Sequence, residues 1–331
     1  MAESLSAAPG GPATPARVAV LGGSGFIGRP LCAALAGRGH AVVAIGRREP
    51  ATPVAATFVR LDVEQAPPKV TAEVFAEHRV THVINAAGGM WGLTDEELVG
   101  ANLTLVENVI AAIGRSDRAP RLVHLGTVHE YGLVPVGTIL HEDSPARPVA
   151  AYGTAKLRCT ERIGAAAEDA GLDAIVLRVG NVVGAGQPGH SLLGGVAARL
   201  SRGAGSDGPV RLAFASLGAR RDFVDLDDVV AAVVLAAEST ARGVVNIGAG
   251  AAVPARDLVR LLVEAGGVPA EVIEEFPDPD PDEQWQCMSV ARAEELLSWR
   301  PVHPLGHAMR RLWARHAAER VGRDGEEAPD A

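Results

Sequence analysis

Tyr152 and Lys156 stand four residues apart in the hexapeptide AYGTAK, in a chain that has only two tyrosines and two lysines, the other lysine being Lys69. Chance would set a Tyr/Lys pair at this spacing in roughly one of eighty such sequences. At i and i+4 the two side chains share one helix face. A free phenol has a pKa of about 10, too high for easy proton exchange at neutral pH. A neighbouring ammonium stabilises the phenolate and lowers that value. The pair therefore reads as a proton donor and the charge that tunes it.

Upstream, GGSGFIG sets Gly22, Gly25 and Gly28 in a GxxGxxG pattern, with Ser24, Phe26 and Ile27 between them. Glycine at a strand-to-helix turn lets a pyrophosphate lie against the helix N-terminus, where free N–H groups and the helix dipole favour negative charge. This implies a dinucleotide. An acid at the end of the next strand would select NAD, but the sequence there is IGRR: Gly46 stands in its place and Arg47 and Arg48 follow. Two guanidiniums suit a 2′-phosphate, so NADP(H) is preferred, with NAD(H) as the alternative. Asp62 and Val63 in LDV fall near the adenine, and Ala86, Ala87 and Gly88 in NAAG supply small residues where the backbone approaches the cofactor.

The elements that would position these residues are short apolar runs alternating with helix-period segments. RVAVL, AVVAI, TFVRLDV, VTHVINAAG, RLVHLGT and AIVLRVGN read as parallel strands buried on both faces. Residues 94–114 and 151–171 read as crossover helices, giving an α/β doubly wound sheet. The predicted organisation is a leader at 1–15 and a dinucleotide-binding domain at 16–185, with later contributions near 219–250. A smaller substrate-binding domain follows at 186–320 and a frayed tail at 321–331. GVVNIGAG reads as a late strand returning to the sheet, and FPDPDPDEQW as an extended, solvated run rather than a calcium loop.

With 331 residues, 47% hydrophobic content and a net charge of −9, the chain is an ordinary globular one whose surface does not suit nucleic acid or anionic membranes. Cys32, Cys159 and Cys287 are odd in number and far apart, which fits reduced thiols and a cytoplasmic location. No apolar run is long enough to span a membrane. His124, His129 and His141 lack metal-ligand spacing, so no metal is expected.

GxxGxxG, NAAG, YGTAK and RDFVDLDDV in this order resemble the extended short-chain dehydrogenase/reductase family, over roughly residues 16–315. The resemblance implies a Rossmann domain with a C-terminal substrate domain, and a homodimer formed through the helices at 94–114 and 151–171. It adds Thr127, at the end of the fifth strand, to the catalytic set of Tyr152 and Lys156, with Lys156 also bonding the nicotinamide ribose. Asn102 and Val179 join the expected cofactor contacts. His129 and His190 are expected to flank the sugar. Asn181 and Arg221, or the adjacent Arg220, are expected at the nucleotide diphosphate. Tyr131 reads as packing or as a pocket wall. Sugar dehydratases of the family carry Asp-Glu after the Thr, where this chain has Val128 and His129; Glu130 comes one place later and would point elsewhere.

GTVHEYG and the stretch up to YGTAK look most like the 4-ketoreductases of dTDP-4-keto-6-deoxyhexoses in antibiotic-sugar pathways. A 4-epimerase that retains NAD is the alternative, and a non-catalytic NADP sensor a further one.

Overall fold

The computed structural model describes residues 15–90, 92–205, 207–276 and 285–326. All but one residue of the expected leader, residues 327–331 of the expected tail, and residues 277–284 of the Pro/Asp run lie outside these. β1 (Arg17–Leu21) passes through the glycine turn into α1 (Gly28–Gly37), then β2 (Ala41–Gly46), β3 (Thr57–Arg60), α2 (Pro68–Glu77) and β4 (His82–Asn85). α3 (Asp95–Val99) continues through a π-helical turn at Gly100–Thr104 into α4 (Leu105–Ile113), followed by β5 (Arg121–Thr127), α5 (Ala151–Ala170) and β6 (Ala174–Val179). Next come β7 (Asn181–Val183), α6 (Leu192–Gly203), β8 (Val210–Phe214), β9 (Arg220–Asp225), α7 (Leu226–Glu238) and β10 (Gly243–Ile247). β11 (Ala252–Pro254), α8 (Ala255–Gly266), β12 (Ala270–Glu274), α9 (Ala291–Leu297) and α10 (Leu305–Glu326) follow.

The order β10-β6-β5-β4-β1-β2-β3 makes a seven-stranded sheet in which every pair is parallel. β5 and β6 are buried along their whole length, their apolar residues covered by helices on both faces and their few polar ones, Arg121, His124, Thr127 and Arg178, buried with them. Leu31, Cys32 and Leu35 of α1 and Val229 and Val233 of α7 pack on one face. Phe75 of α2, Val106 and Val109 of α4, and Cys159 and Ile163 of α5 pack on the other. The chain winds outward on both sides of the β1/β4 boundary, which leaves a crevice at the carboxyl ends of those strands.

The late strand returns as expected, with β10 pairing parallel to β6. β9, in contrast, joins β7 and β11 in a separate three-stranded sheet, because the chain leaves the large sheet at Gly180. A further core gathers Leu193 and Val196 of α6, Leu258 and Leu262 of α8, and Met309 and Leu312 of α10. α10 continues through Glu326, six residues into the stretch expected to fray. The expected single helix at 94–114 is divided by its π turn. Asn102 sits in that turn and donates to the carbonyls of Leu98 (2.8 Å) and Gly89 (3.0 Å).

Candidate functional site

A cleft of about 1010 Å³ runs along the carboxyl ends of β1, β2, β4, β5 and β6 and continues to β7 and β9. At one end lies the glycine turn. Gly22 has φ +74°, and a Cβ there would stand 2.9 Å from the Ala86 carbonyl oxygen. Ser24, Gly25, Phe26 and Ile27 line the cleft, whereas Gly28 does not. A Cβ on Gly28 would meet the Gly22 oxygen at 2.0 Å, so this glycine packs the helix onto its own turn. Gly28 is thus a support for the cofactor site and not a wall of it.

Arg47 and Arg48 are exposed at the end of β2 and line the cleft beside Gly46. Asp62 and Val63 line the same end. Their loop is tied down by Asn108 Nδ2, which donates to the Val63 carbonyl at 3.0 Å and the Glu64 carbonyl at 2.9 Å. Across the crevice, Asn85 Oδ1 accepts from Ala87 N at 3.1 Å and shapes the Ala86–Gly88 segment, which also lines the cleft. A Cβ on Gly88 would lie 2.7 Å from Asn102 Oδ1. Asn102, expected at the cofactor, is therefore buried behind this segment and is absent from the cleft wall. A turn that admits no Cβ, a wall of small residues and two guanidiniums fit a phosphorylated dinucleotide.

The chemistry-bearing residues meet at the centre of the cleft. Thr127 ends β5, Tyr152 lies in the first turn of α5, and Lys156 lies one turn on. The Thr127 side chain hydrogen-bonds the Tyr152 phenol. Lys156 Nζ donates to the Leu125 carbonyl at 2.6 Å. Burial pushes the Tyr152 phenol well above its usual range and the Glu130 charge adds to this, while the Thr127 hydrogen bond opposes it. Burial likewise lowers Lys156, against the nearby Glu130 and Cys159. The sequence implied that Lys156 lowers the phenol; here burial and Glu130 raise it, and the ammonium donates to the Leu125 carbonyl. The phenol is thus held protonated, the form that can give a proton away.

On the far side, the His129 ring meets the Tyr152 ring edge-on, with centroids 6.1 Å apart. Burial and then the Arg221 charge lower His129 to about 4, against a hydrogen bond with Asn181, so its imidazole is neutral at pH 7. Asn181 lines the cleft, but its Nδ2 already donates to the Asp222 carbonyl (3.1 Å) and to Gln286 Oε1 (2.8 Å). In this arrangement both amide hydrogens of Asn181 have partners within the protein, and its side chain also lies against His129. Arg221 and His190 line the cleft, and Arg220 points away to solvent, as alternation along a strand requires. Tyr131 is packing: its hydroxyl donates to Asn246 Oδ1 at 2.7 Å and the Arg178 guanidinium sits 4.6 Å from its ring centroid.

Val179 also lines the cleft, as do unforeseen residues including Glu64, Met90, Gln187, Phe214 and Ser216. No local pattern marks these, because loops from distant parts of the chain bring them together. Among the described residues one group could hold a metal ion, Asp225, His303 and His307. It lies outside the cleft lining, and the Nδ1 atoms of His303 and His307 face Asp228 and Asp225 at 2.7 and 2.9 Å. Cys32, Cys159 and Cys287 are buried free thiols. No helix among the described residues is long and apolar enough to cross a membrane.

The profile of the NAD dependent epimerase/dehydratase family matches residues 18–248. A dTDP-6-deoxy-L-talose 4-dehydrogenase (NAD(P)(+)) of Kitasatospora kifunensis is 48% identical over 303 residues, covering 90% of this chain and 95% of the relative. A UDP-glucose 4-epimerase of Azospirillum brasilense is 30% identical over 348 residues, covering 93% and 95%. The crystal structure of the Thermus thermophilus UDP-glucose 4-epimerase with NAD superposes with a TM-score of 0.78 at 28% identity, covering 91% of this chain and 98% of that one.

Proposed function

The chain belongs to the NAD dependent epimerase/dehydratase family, and within it we propose that this protein uses NADPH to reduce the 4-keto group of a dTDP-4-keto-6-deoxysugar. The observation that carries the reading is one cleft in which the glycine turn and Arg47/Arg48 lead to Thr127, Tyr152 and Lys156, and these to His129 and Arg221. The 48% relative, named for oxidation at carbon 4 of a dTDP-6-deoxyhexose, supports it, since that oxidation is the same interconversion in reverse.

When bound, the reduced nicotinamide supplies a hydride. The Tyr152 hydroxyl gives its proton to the oxygen left on carbon 4, and the Thr127 hydroxyl holds that oxygen within reach. Lys156 contributes a positive charge at the ribose side and is anchored through the Leu125 carbonyl. Neutral His129, fixed by Asn181, faces the sugar, and Arg221 meets the diphosphate. Arg47 and Arg48 grip the 2′-phosphate, with Ser24, Asp62, Val63, Ala86, Ala87 and Val179 along the dinucleotide. A cytoplasmic homodimer through α3–α4 and α5, serving deoxysugar assembly in antibiotic biosynthesis, completes the proposal.

The test is net oxidation of NADPH with dTDP-4-keto-6-deoxyglucose and its 2-deoxy relatives, with products identified by NMR. Absence of turnover with every 4-ketosugar sinks the reductase reading. The 30% identity to a UDP-glucose 4-epimerase favours epimerisation as the second reading; interconversion of C4 epimers without net oxidation would establish it. Light scattering at twice the chain mass checks the dimer.

A further inference from the structure

Glu130 is fully buried, lies outside the cleft, and has no part in the steps above. Its carboxylate nevertheless ties together the elements that carry the chemistry. Oε1 accepts the backbone N–H of Thr127 at 2.8 Å. Oε2 accepts from Arg178 Nε of β6 at 2.7 Å and from the Thr160 hydroxyl of α5 at 2.9 Å. Thr160 follows Lys156 by four residues and Tyr152 by eight, so the three side chains share one face of α5. Gly126 makes room for this: a Cβ there would stand 2.5 Å from Oε1. Arg178 pairs in register with Gly126 and balances the buried charge. A long loop separates Thr127 from α5, so no local geometry sets their separation.

We infer that Glu130 is a positioning residue for the reaction: by bonding Thr127 N–H and Thr160 at once, it sets Thr127 against the Tyr152/Lys156 face of α5. The inference rests on the proposed catalytic roles of those three residues. It also has an electrostatic consequence, because a fixed negative charge behind the phenol disfavours the phenolate. The other titratable and charged groups around that phenol are His129 from the loop after β5, Lys156 and Cys159 from α5, Arg178 of β6 behind Glu130, and Arg221 of β9 beyond His129.

Two variants test it. Glu130→Gln removes the charge at constant size, and Thr160→Val removes one bond while leaving the ion pair with Arg178 in place. Both are expected to lower kcat by about ten-fold to a hundred-fold with KM for NADPH unchanged. E130Q alone should also move the alkaline limb of the kcat profile to lower pH, a change that loss of packing would not produce. A readout independent of turnover is the 13Cζ NMR resonance of Tyr152 in the NADP+ complex, assigned by its loss in Tyr152→Phe in a chain with two tyrosines. Its titration midpoint should fall in E130Q; in T160V the resonance should shift with no change in midpoint. Folded variants with the parent kcat, or with a Tyr152 resonance and midpoint like the parent's, overturn the inference. If E130Q does not fold, T160V decides by kcat and resonance position. If the parent reduces no ketosugar, the reductase reading fails while the NMR comparison still decides this one.

Discussion

Gly46→Asp should reverse the preference between the two dinucleotides. The backbone accepts the change: Gly46 is not among the residues of positive φ. A Cβ there would lie 3.5 Å from the Phe58 ring and 3.6 Å from Ser24 Oγ, ordinary contact distances, so little folding stability is at stake. A carboxylate at the end of β2 accepts from the ribose hydroxyls of NADH, a charge-assisted bond of about 1.5–3 kcal/mol. Against NADPH it faces a phosphate of nearly two negative charges. At about 5 Å and an effective dielectric of about 40–80, the repulsion is roughly 2–3 kcal/mol. Arg47 and Arg48 are exposed, and they and solvent screen part of it. A net swing of about 3–5 kcal/mol corresponds to a change of a few hundred-fold to a few thousand-fold in the ratio of kcat/KM for NADPH over NADH. The assay is initial rates with both cofactors on one ketosugar, with thermal unfolding as a check on the fold. A stable variant whose ratio moves by less than about three-fold would refute the account of Gly46, Arg47 and Arg48.

Tyr152→Phe should lower kcat by about 10²–10⁴ while NADPH still binds, because only the transferable proton is lost; fluorescence titration and turnover check the two halves. Arg221→Ala should raise KM for the nucleotide sugar about ten-fold or more, whereas Arg220→Ala, on the outward side of the same strand, should leave it unchanged in steady-state kinetics. Acid should weaken the fold through its buried neutral histidines, against the opposite effect of Asp222, whose carboxyl burial raises to about 6. His129 is lowered from 6.5 to about 4 and His124 well below 6.5, chiefly by burial, so the unfolded chain takes up these protons first. The stability they contribute is complete above about pH 6.5 and drains away as pH falls toward about 4, by about 2–3 kcal/mol for His129. Denaturant titrations across that window should flatten in His129→Asn; an unchanged slope would count against a buried neutral imidazole.

The sequence by itself determined whatever depends on neighbours along the chain. β1 and β5 fall on RVAVL and RLVHLGT because short Val/Leu-rich runs alternating with helix-period segments suit parallel strands covered on both faces. The glycine turn follows β1 directly, and Tyr152 and Lys156 share a face of α5 because 3.6 residues make a turn. The run RLVHLGT also ends the strand at Thr127, which the family resemblance singled out. Only the tertiary structure decided what each side chain meets. Asn181 is consumed by Gln286, more than a hundred residues away, and Arg221 turns inward while Arg220 does not. Gly28 and Asn102 stand behind the cofactor wall, and burial with the Glu130 charge raises the phenol that Lys156 was expected to lower. Glu130 finds Thr160 and Arg178 only once α5 and β6 have folded back onto β5. Hydrogen-bond partners and burial are properties of the packed chain, and no spacing within a short window encodes them.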